Sequence, residues 1–224
     1  MGQTIQLTAK DGHKFAAYRA DPAGRAKGGI VIIQEIFGFN KHMRELADRW
    51  AAKGYLAIGP HLFDRAERGV DIGYGEKDFA KGRETRGKLN DEMIINDVTA
   101  ALDVAKSAGK VGIIGFCFGG YVTWLSATSI PGFACASGYY GGGIAAKKDL
   151  KPMCAVQLHF GDRDGAIPLK DVDAIKAAQP DVKVFVYDDA PHGFCTDDRP
   201  GSWQADACKR ATSRSEALMA ANVG

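Results

Sequence analysis

Short apolar runs alternate along this chain with longer stretches whose apolar positions recur every three or four residues. Residues 4–9 and 14–20 alternate apolar and polar positions around Lys10-Asp11-Gly12-His13, and Asp-Gly supplies the turn of a hairpin. Gly28-Gly29 then opens 30–34, a continuous apolar run of the kind that forms a strand buried on both faces. Over 41–53 the helical spacing of Met43, Leu46, Ala47 and Trp50 predicts a helix, stopped at Gly54. A strand follows at 55–58. Residues 91–107 carry Ile94, Ile95, Val98, Ala101, Leu102 and Ala105 on one stripe and predict an amphipathic helix. Further strands are expected at 111–116, 132–137, 153–160 and 182–187, with helices at 119–128, 169–178 and 202–221. Between them, 64–90 is polar and rich in glycine and charge. It predicts a loop with a short helix, the kind of long connection that tends to carry function. Strands alternating with helices predict an α/β fold, a mostly parallel central sheet with helices on both faces. No repeat, low-complexity tract or linker interrupts the pattern, so residues 1–224 read as a single domain.

Composition narrows the function classes. Hydrophobic residues make up 46% and charged residues 25% of the 224, ordinary globular values. With 29 basic against 27 acidic residues the formal net charge is +2, and no basic cluster stands out, so nucleic acid is not an expected partner. No apolar run approaches the roughly 20 residues of a membrane span. The start, Met1-Gly2-Gln3-Thr4-Ile5-Gln6-Leu7, lacks the charged and apolar regions of an export signal. A cytoplasmic location and five free thiols (Cys117, Cys135, Cys154, Cys195 and Cys208) are therefore expected. Cys135 and Cys154 fall in strands and read as core. No tight His/Cys cluster suggests a metal, and no cofactor motif is present.

One motif carries chemistry. Gly115-Phe116-Cys117-Phe118-Gly119-Gly120 stands between a strand and a helix, where a sharp turn lifts the central side chain above the sheet. In such an elbow the backbone N–H of Phe118 and the helix N-terminus favour a developing oxyanion. Taken alone, the same motif also suits a glycine-rich turn around an ordinary packed cysteine. Chain order adds weight to the first reading. Asp162 and Asp164 follow the strand at 153–160, and His192 follows the strand at 182–187. Nucleophile, acid and histidine thus stand at successive strand ends, where open α/β sheets bind ligands. His13, His42, His61 and His159 have no such context and read as surface or core.

With these motifs in place, the sequence resembles the dienelactone hydrolase family, a cysteine-using branch of the α/β-hydrolases, over nearly its whole length. The resemblance rests on Gln34-Glu35-Ile36-Phe37-Gly38, the elbow, Gly138-Tyr139-Tyr140-Gly141, residues 161–168 and Pro191-His192-Gly193-Phe194. It implies an α/β-hydrolase fold and hydrolysis of a small-molecule ester or lactone without a cofactor. Cys117 would be the nucleophile, His192 the general base and acid, and Asp164 the residue orienting it. The N–H groups of Ile36 and Phe118 would form the oxyanion hole. Glu35 would contact the resting thiol and gate it; read from the sequence alone, it either faces water or pairs with a cation such as Arg65.

In the same family arginines hold a substrate carboxylate. Here Thr196 stands where one of them is expected, and Arg199 comes later than such a clamp would suggest. Lys81 and Arg83 are then the candidate cations, or else part of a solvated loop, and Tyr140 is a pocket wall or a packing residue. Alternatives to a dienelactone-type substrate are a neutral ester or thioester. From another class come a non-catalytic binding protein and a redox-sensing thiol protein, with Cys195 as the resolving partner of Cys117.

Overall fold

A computed structural model describes residues 2–199 and 201–224. Eight strands form one sheet: β1 (Gln3–Thr8), β2 (Lys14–Ala20), β3 (Gly29–Ile33), β4 (Leu56–Pro60), β5 (Val111–Phe116), β6 (Phe133–Tyr139), β7 (Ala155–Gly161) and β8 (Lys183–Tyr187). Their order is β1-β2-β4-β3-β5-β6-β7-β8; β1 and β2 run antiparallel to their neighbours and the rest pair in parallel. The chain leaves β3 in one direction to build β4, then returns past β3 to build β5 and continues the other way. That reversal opens a crevice at the carboxyl ends of the strands.

The helices are α1 (Lys41–Ala52), α2 (Glu76–Gly87), α3 (Asp91–Ala105), α4 (Phe118–Ser129), α5 (Leu169–Ala178) and α6 (Ala205–Asn222). Right-handed crossovers in opposite directions put α1 on one face of the sheet and α3 with α4 on the other. The α6 helix packs on β6, its Glu216 paired with Lys53 just beyond α1. Side-chain oxygens of Asn40 and Asn90 cap α1 and α3 by accepting the N–H groups of Met43 and Met93 at 3.3 and 2.9 Å. The apolar runs become fully buried strands, as in Ile30, Val31, Ile32 and Ile33, each side chain worth roughly 1.5–3 kcal/mol of burial. Among the described residues no helix is long and apolar enough to cross a membrane.

Three sequence expectations need correction. The 64–90 segment is more ordered than its composition suggests: a short 3₁₀ turn spans Leu62–Arg65, and α2 has 12 residues. Its buried positions are Gly82 and Thr85 rather than large apolar residues, so no stripe announces it. Arg65 does not serve Glu35; it binds Asp97 at 2.7 and 2.9 Å and Asp11 at 2.7 Å. The cysteines are not all free, because Cys195 and Cys208, thirteen positions apart, form a disulfide. That bond ties the loop after β8 to α6, and it removes Cys195 as a resolving thiol for Cys117.

Candidate active site

The elbow follows from three close backbone approaches. A Cβ on Gly115 would overlap the Gly119 carbonyl, one on Gly119 the Ile33 carbonyl, and one on Gly120 the Tyr139 carbonyl. Only glycine lets β5, β3, β6 and the start of α4 meet this tightly. Cys117 takes up the turn at φ 55°, ψ −115°, a conformation that side-chain-bearing residues rarely adopt. Its N–H donates to the Tyr139 carbonyl at 3.0 Å, and its own carbonyl accepts from Gly120 at 2.9 Å. Phe118 is the first residue of α4, so its N–H has no partner in the helix.

Asp164 and His192 stand on the turns after β7 and β8. Asp164 is buried, and its Oδ1 accepts the N–H groups of Ala166 at 2.8 Å and Ile167 at 3.1 Å. Its Oδ2 lies 2.7 Å from Nδ1 of His192. Asp162, the rival carboxylate, is exposed. Burial opposes charge on His192, but interactions with Asp164 and Cys117 outweigh it and raise the imidazole to about 10. The imidazolium is therefore favoured while the sulfur and the carboxylate flank it.

Glu35 ends the buried run of β3 and is 2% exposed. The Thr196 hydroxyl donates to its Oε1 at 3.3 Å, while Oε2 has no hydrogen-bond partner among the described residues. Burial pushes this carboxyl upward, against the opposing pull of His42, His192, Arg199 and Thr196. No hydrogen bond joins Glu35 to Cys117 among the described residues; the carboxyl rests on Thr196. Thr196 thus supports Glu35 from the position where an arginine is expected. Tyr140, expected as a pocket wall or a packing residue, does not line the cavity: it is fully buried at φ 36° and packs against the rings of His192 and Phe194 at 5.1 and 5.2 Å. Its hydroxyl lies 3.4 Å from that of Thr196, which extends the chain Tyr140–Thr196–Glu35 behind the site.

The turn from Glu35 to Gly38 is clamped from outside. Gly38 adopts φ 79° where a Cβ would overlap the Val70 carbonyl, and Ile72 N–H donates to Phe37 at 3.2 Å. A Cβ on Gly82 of α2 would overlap the Ile36 carbonyl, so α2 packs directly on this turn. The N–H groups of Ile36 and Phe118 have no acceptor among the described residues.

These groups surround one cavity of about 340 Å³, lined by Ile36, Cys117, Phe118 and His192 and by the cations Arg83, Arg86 and Arg199. Lys81 is not among the lining residues; its ammonium is paired with Glu67. Arg199 reaches the cavity after all. Turns from Gly193 to Thr196 (2.9 Å) and from Thr196 to Arg199 (3.1 Å) fold the loop back, and the guanidinium lies 4.8 Å over the Phe79 ring. Arg86 was not singled out from the sequence, although it stands three positions after Arg83 and so shares its helix face. Among the described residues no group of His, Cys, Asp or Glu side chains converges as a metal site would need.

The dienelactone hydrolase family model matches residues 15–222. The carboxymethylenebutenolidase of Pseudomonas putida is 33% identical over 226 residues, covering 94% of this chain and 92% of that protein. A Synechocystis sp. protein assigned to the same activity is also 33% identical over 226 residues, covering 92% and 91%. Among solved structures, a Klebsiella pneumoniae chain assigned to the dienelactone hydrolases superposes with a TM-score of 0.83. It is 28% identical and covers 97% of this chain and 99% of its own.

Proposed function

The chain belongs to the dienelactone hydrolase family and is a hydrolase of carboxylic esters or lactones, and on that premise we propose that it acts through Cys117, His192 and Asp164. The observation that carries this reading is convergence. A cysteine on a strained elbow and a histidine oriented by a buried aspartate at 2.7 Å open into one cavity with two unpartnered backbone N–H groups.

In this reading the Cys117 sulfur, its proton held on His192, attacks the ester carbonyl. The oxyanion forms against the N–H groups of Ile36 and Phe118, each such donor typically worth about 100- to 1000-fold in rate. The imidazolium then protonates the departing oxygen and the acyl group rests on sulfur as a thioester. His192 next takes a proton from water, which attacks the thioester and returns the thiol. Asp164 keeps the ring in register throughout, its second oxygen held by two backbone N–H groups. Glu35, resting on Thr196, leaves the sulfur to His192. A swing of its carboxyl to the sulfur would return a proton and quench the thiolate, protecting it from oxidation between turnovers.

Arg83 and Arg199 line the cavity without ion-pair partners among the described residues, which favours an acidic substrate of the dienelactone type over a neutral ester. The test is the ratio of kcat/KM for dienelactone to that for a neutral aryl ester, with Cys117→Ala as the blank. A ratio well above one, and a fall of at least about 1000-fold in the variant, is expected. Hydrolysis that survives Cys117→Ala would overturn the nucleophile, and a ratio near one would overturn the acidic substrate.

A further inference from the structure

The cavity carries more positive charge than one substrate carboxylate needs, and the excess is placed at one end. Phe79, Arg83 and Arg86 occupy positions i, i+4 and i+7 of α2, a single stripe about 10 Å long along the cavity. Arg199 lies over Phe79 at the first end of that stripe. Arg86 stands at the other, its guanidinium 4.8 Å over the ring of Phe118 and 5.9 Å from that of Tyr121. Phe118 directly follows Cys117, so the two outer guanidiniums lie toward opposite ends of the reacting region.

Four acids on or beside α2 are committed elsewhere. Glu67 holds Lys81, Glu84 holds Lys88 at 2.7 Å, and Asp78 accepts the Gly75 N–H at 3.1 Å. Asp91 is taken by Lys147 at 3.1 Å and by the Tyr121 hydroxyl at 2.8 Å. Lys81 of α2 and Lys88 just beyond its end are thus neutralised, while the two cavity-lining arginines of α2 have no carboxylate within ion-pair distance among the described residues. Arg86 spends one of its five N–H donors on the Leu89 carbonyl at 3.1 Å. The two rings hold the guanidinium within cation–π reach at the cavity wall, and its other N–H donors are free for a two-oxygen anion.

We propose that Arg86 forms a second anion subsite, so that the preferred substrate is a short-chain ester or lactone with two acidic groups flanking the scissile carbonyl. One group binds Arg83 and Arg199, the other Arg86. The inference rests on the reading above that this cavity is where the ester binds, and it adds the second acid. A singly acidic substrate leaves Arg86 uncompensated beside a low-dielectric ring cluster; a diacid meets both ends of the stripe.

Binding can be measured apart from chemistry. In Cys117→Ala protein, titration calorimetry would compare succinate, glutarate and adipate with the monocarboxylates of equal length. At least one diacid is expected to bind ten times more tightly than its monoacid. Arg86→Gln is expected to bring that ratio close to one, and Arg86→Lys, which keeps charge but not the planar fork, to leave an intermediate ratio. Equal binding of diacids and monoacids would overturn the subsite. So would an Arg86→Gln effect that weakens both classes alike, since that marks a structural role, with near-UV circular dichroism reporting whether the variant is folded. Because Cys117 is absent from the assay, these outcomes do not depend on its being the nucleophile.

Discussion

Glu35 is a poorly satisfied side chain. It is buried, one oxygen has no partner, and the other depends on a single hydroxyl at 3.3 Å. Its carboxyl is held above the ordinary 4.5 by burial. From pH 4.5 up to that raised value the folded state therefore binds more protons than the unfolded one, and stability falls as pH rises. Glu35→Gln removes this dependence. Its melting temperature should exceed the parent's by a few degrees at pH 8 and by much less at pH 4.5, an orphaned buried polar group costing about 1–3 kcal/mol. Equal differences at both pH values in scanning calorimetry would refute the assignment of burial as the cause. At this scale the sequence was most informative where a side chain closes a strand: Cys117, Glu35 and His192 are each marked by an apolar run and a turn. Spacing alone did not separate Asp162 from Asp164, because two carboxylates on one loop differ only in which is buried; the family resemblance chose Asp164. Nor did the sequence show that Thr196 supports Glu35, a contact 161 positions apart in the chain.

Among the elements, α2 was the hardest to see and is closely tied to the site. Phe79 is its one large apolar residue, so periodicity offers nothing to detect, whereas the parallel strands announce themselves as unbroken apolar runs. What seats α2 is a missing side chain: Gly82 lets the helix backbone rest on the Ile36 carbonyl. Gly82→Ala would gain about 1 kcal/mol of intrinsic helix preference. It would also drive a methyl group into the carbonyl of Ile36, the residue whose own N–H is a proposed oxyanion donor. We expect kcat to fall about 10- to 100-fold with a smaller change in KM, read by steady-state kinetics on a good ester substrate. An unchanged kcat would mean that the Ile36 N–H is not used. The same loose patterning hid the position of Arg199, whose approach depends on two consecutive turns and on Gly193, where a Cβ would strike the guanidinium.

At the scale of the whole molecule, groups from residue 35 to residue 199 meet because the strand order brings the ends of β3, β5, β7 and β8 to one rim. The chain order of Cys117, Asp164 and His192, each expected just after a strand, made that rim legible in the sequence. The Cys195–Cys208 bond was not legible, since no spacing motif joins the two and only the folded loop brings them together. Closing a ring of this size stabilises a fold by about 3 kcal/mol, and this ring encloses Thr196 and Arg199 and begins three residues after His192. The molecule therefore contains two sulfur sites with opposed requirements in one solvent. A reduced thiol buffer that keeps Cys117 free also opens the clasp, whereas oxidised glutathione, which leaves the clasp shut, would exchange with the Cys117 thiol to give a mixed disulfide and release one glutathione. Activity plotted against the ratio of reduced to oxidised glutathione should pass through a maximum. Cys195→Ser/Cys208→Ser should erase the decline on the reducing side and leave the oxidising one, whereas an unaltered curve would show that the clasp does not bear on turnover. On that expectation, preparing this enzyme becomes a matter of choosing a buffer potential, reducing enough to spare Cys117 and oxidising enough to keep the clasp shut.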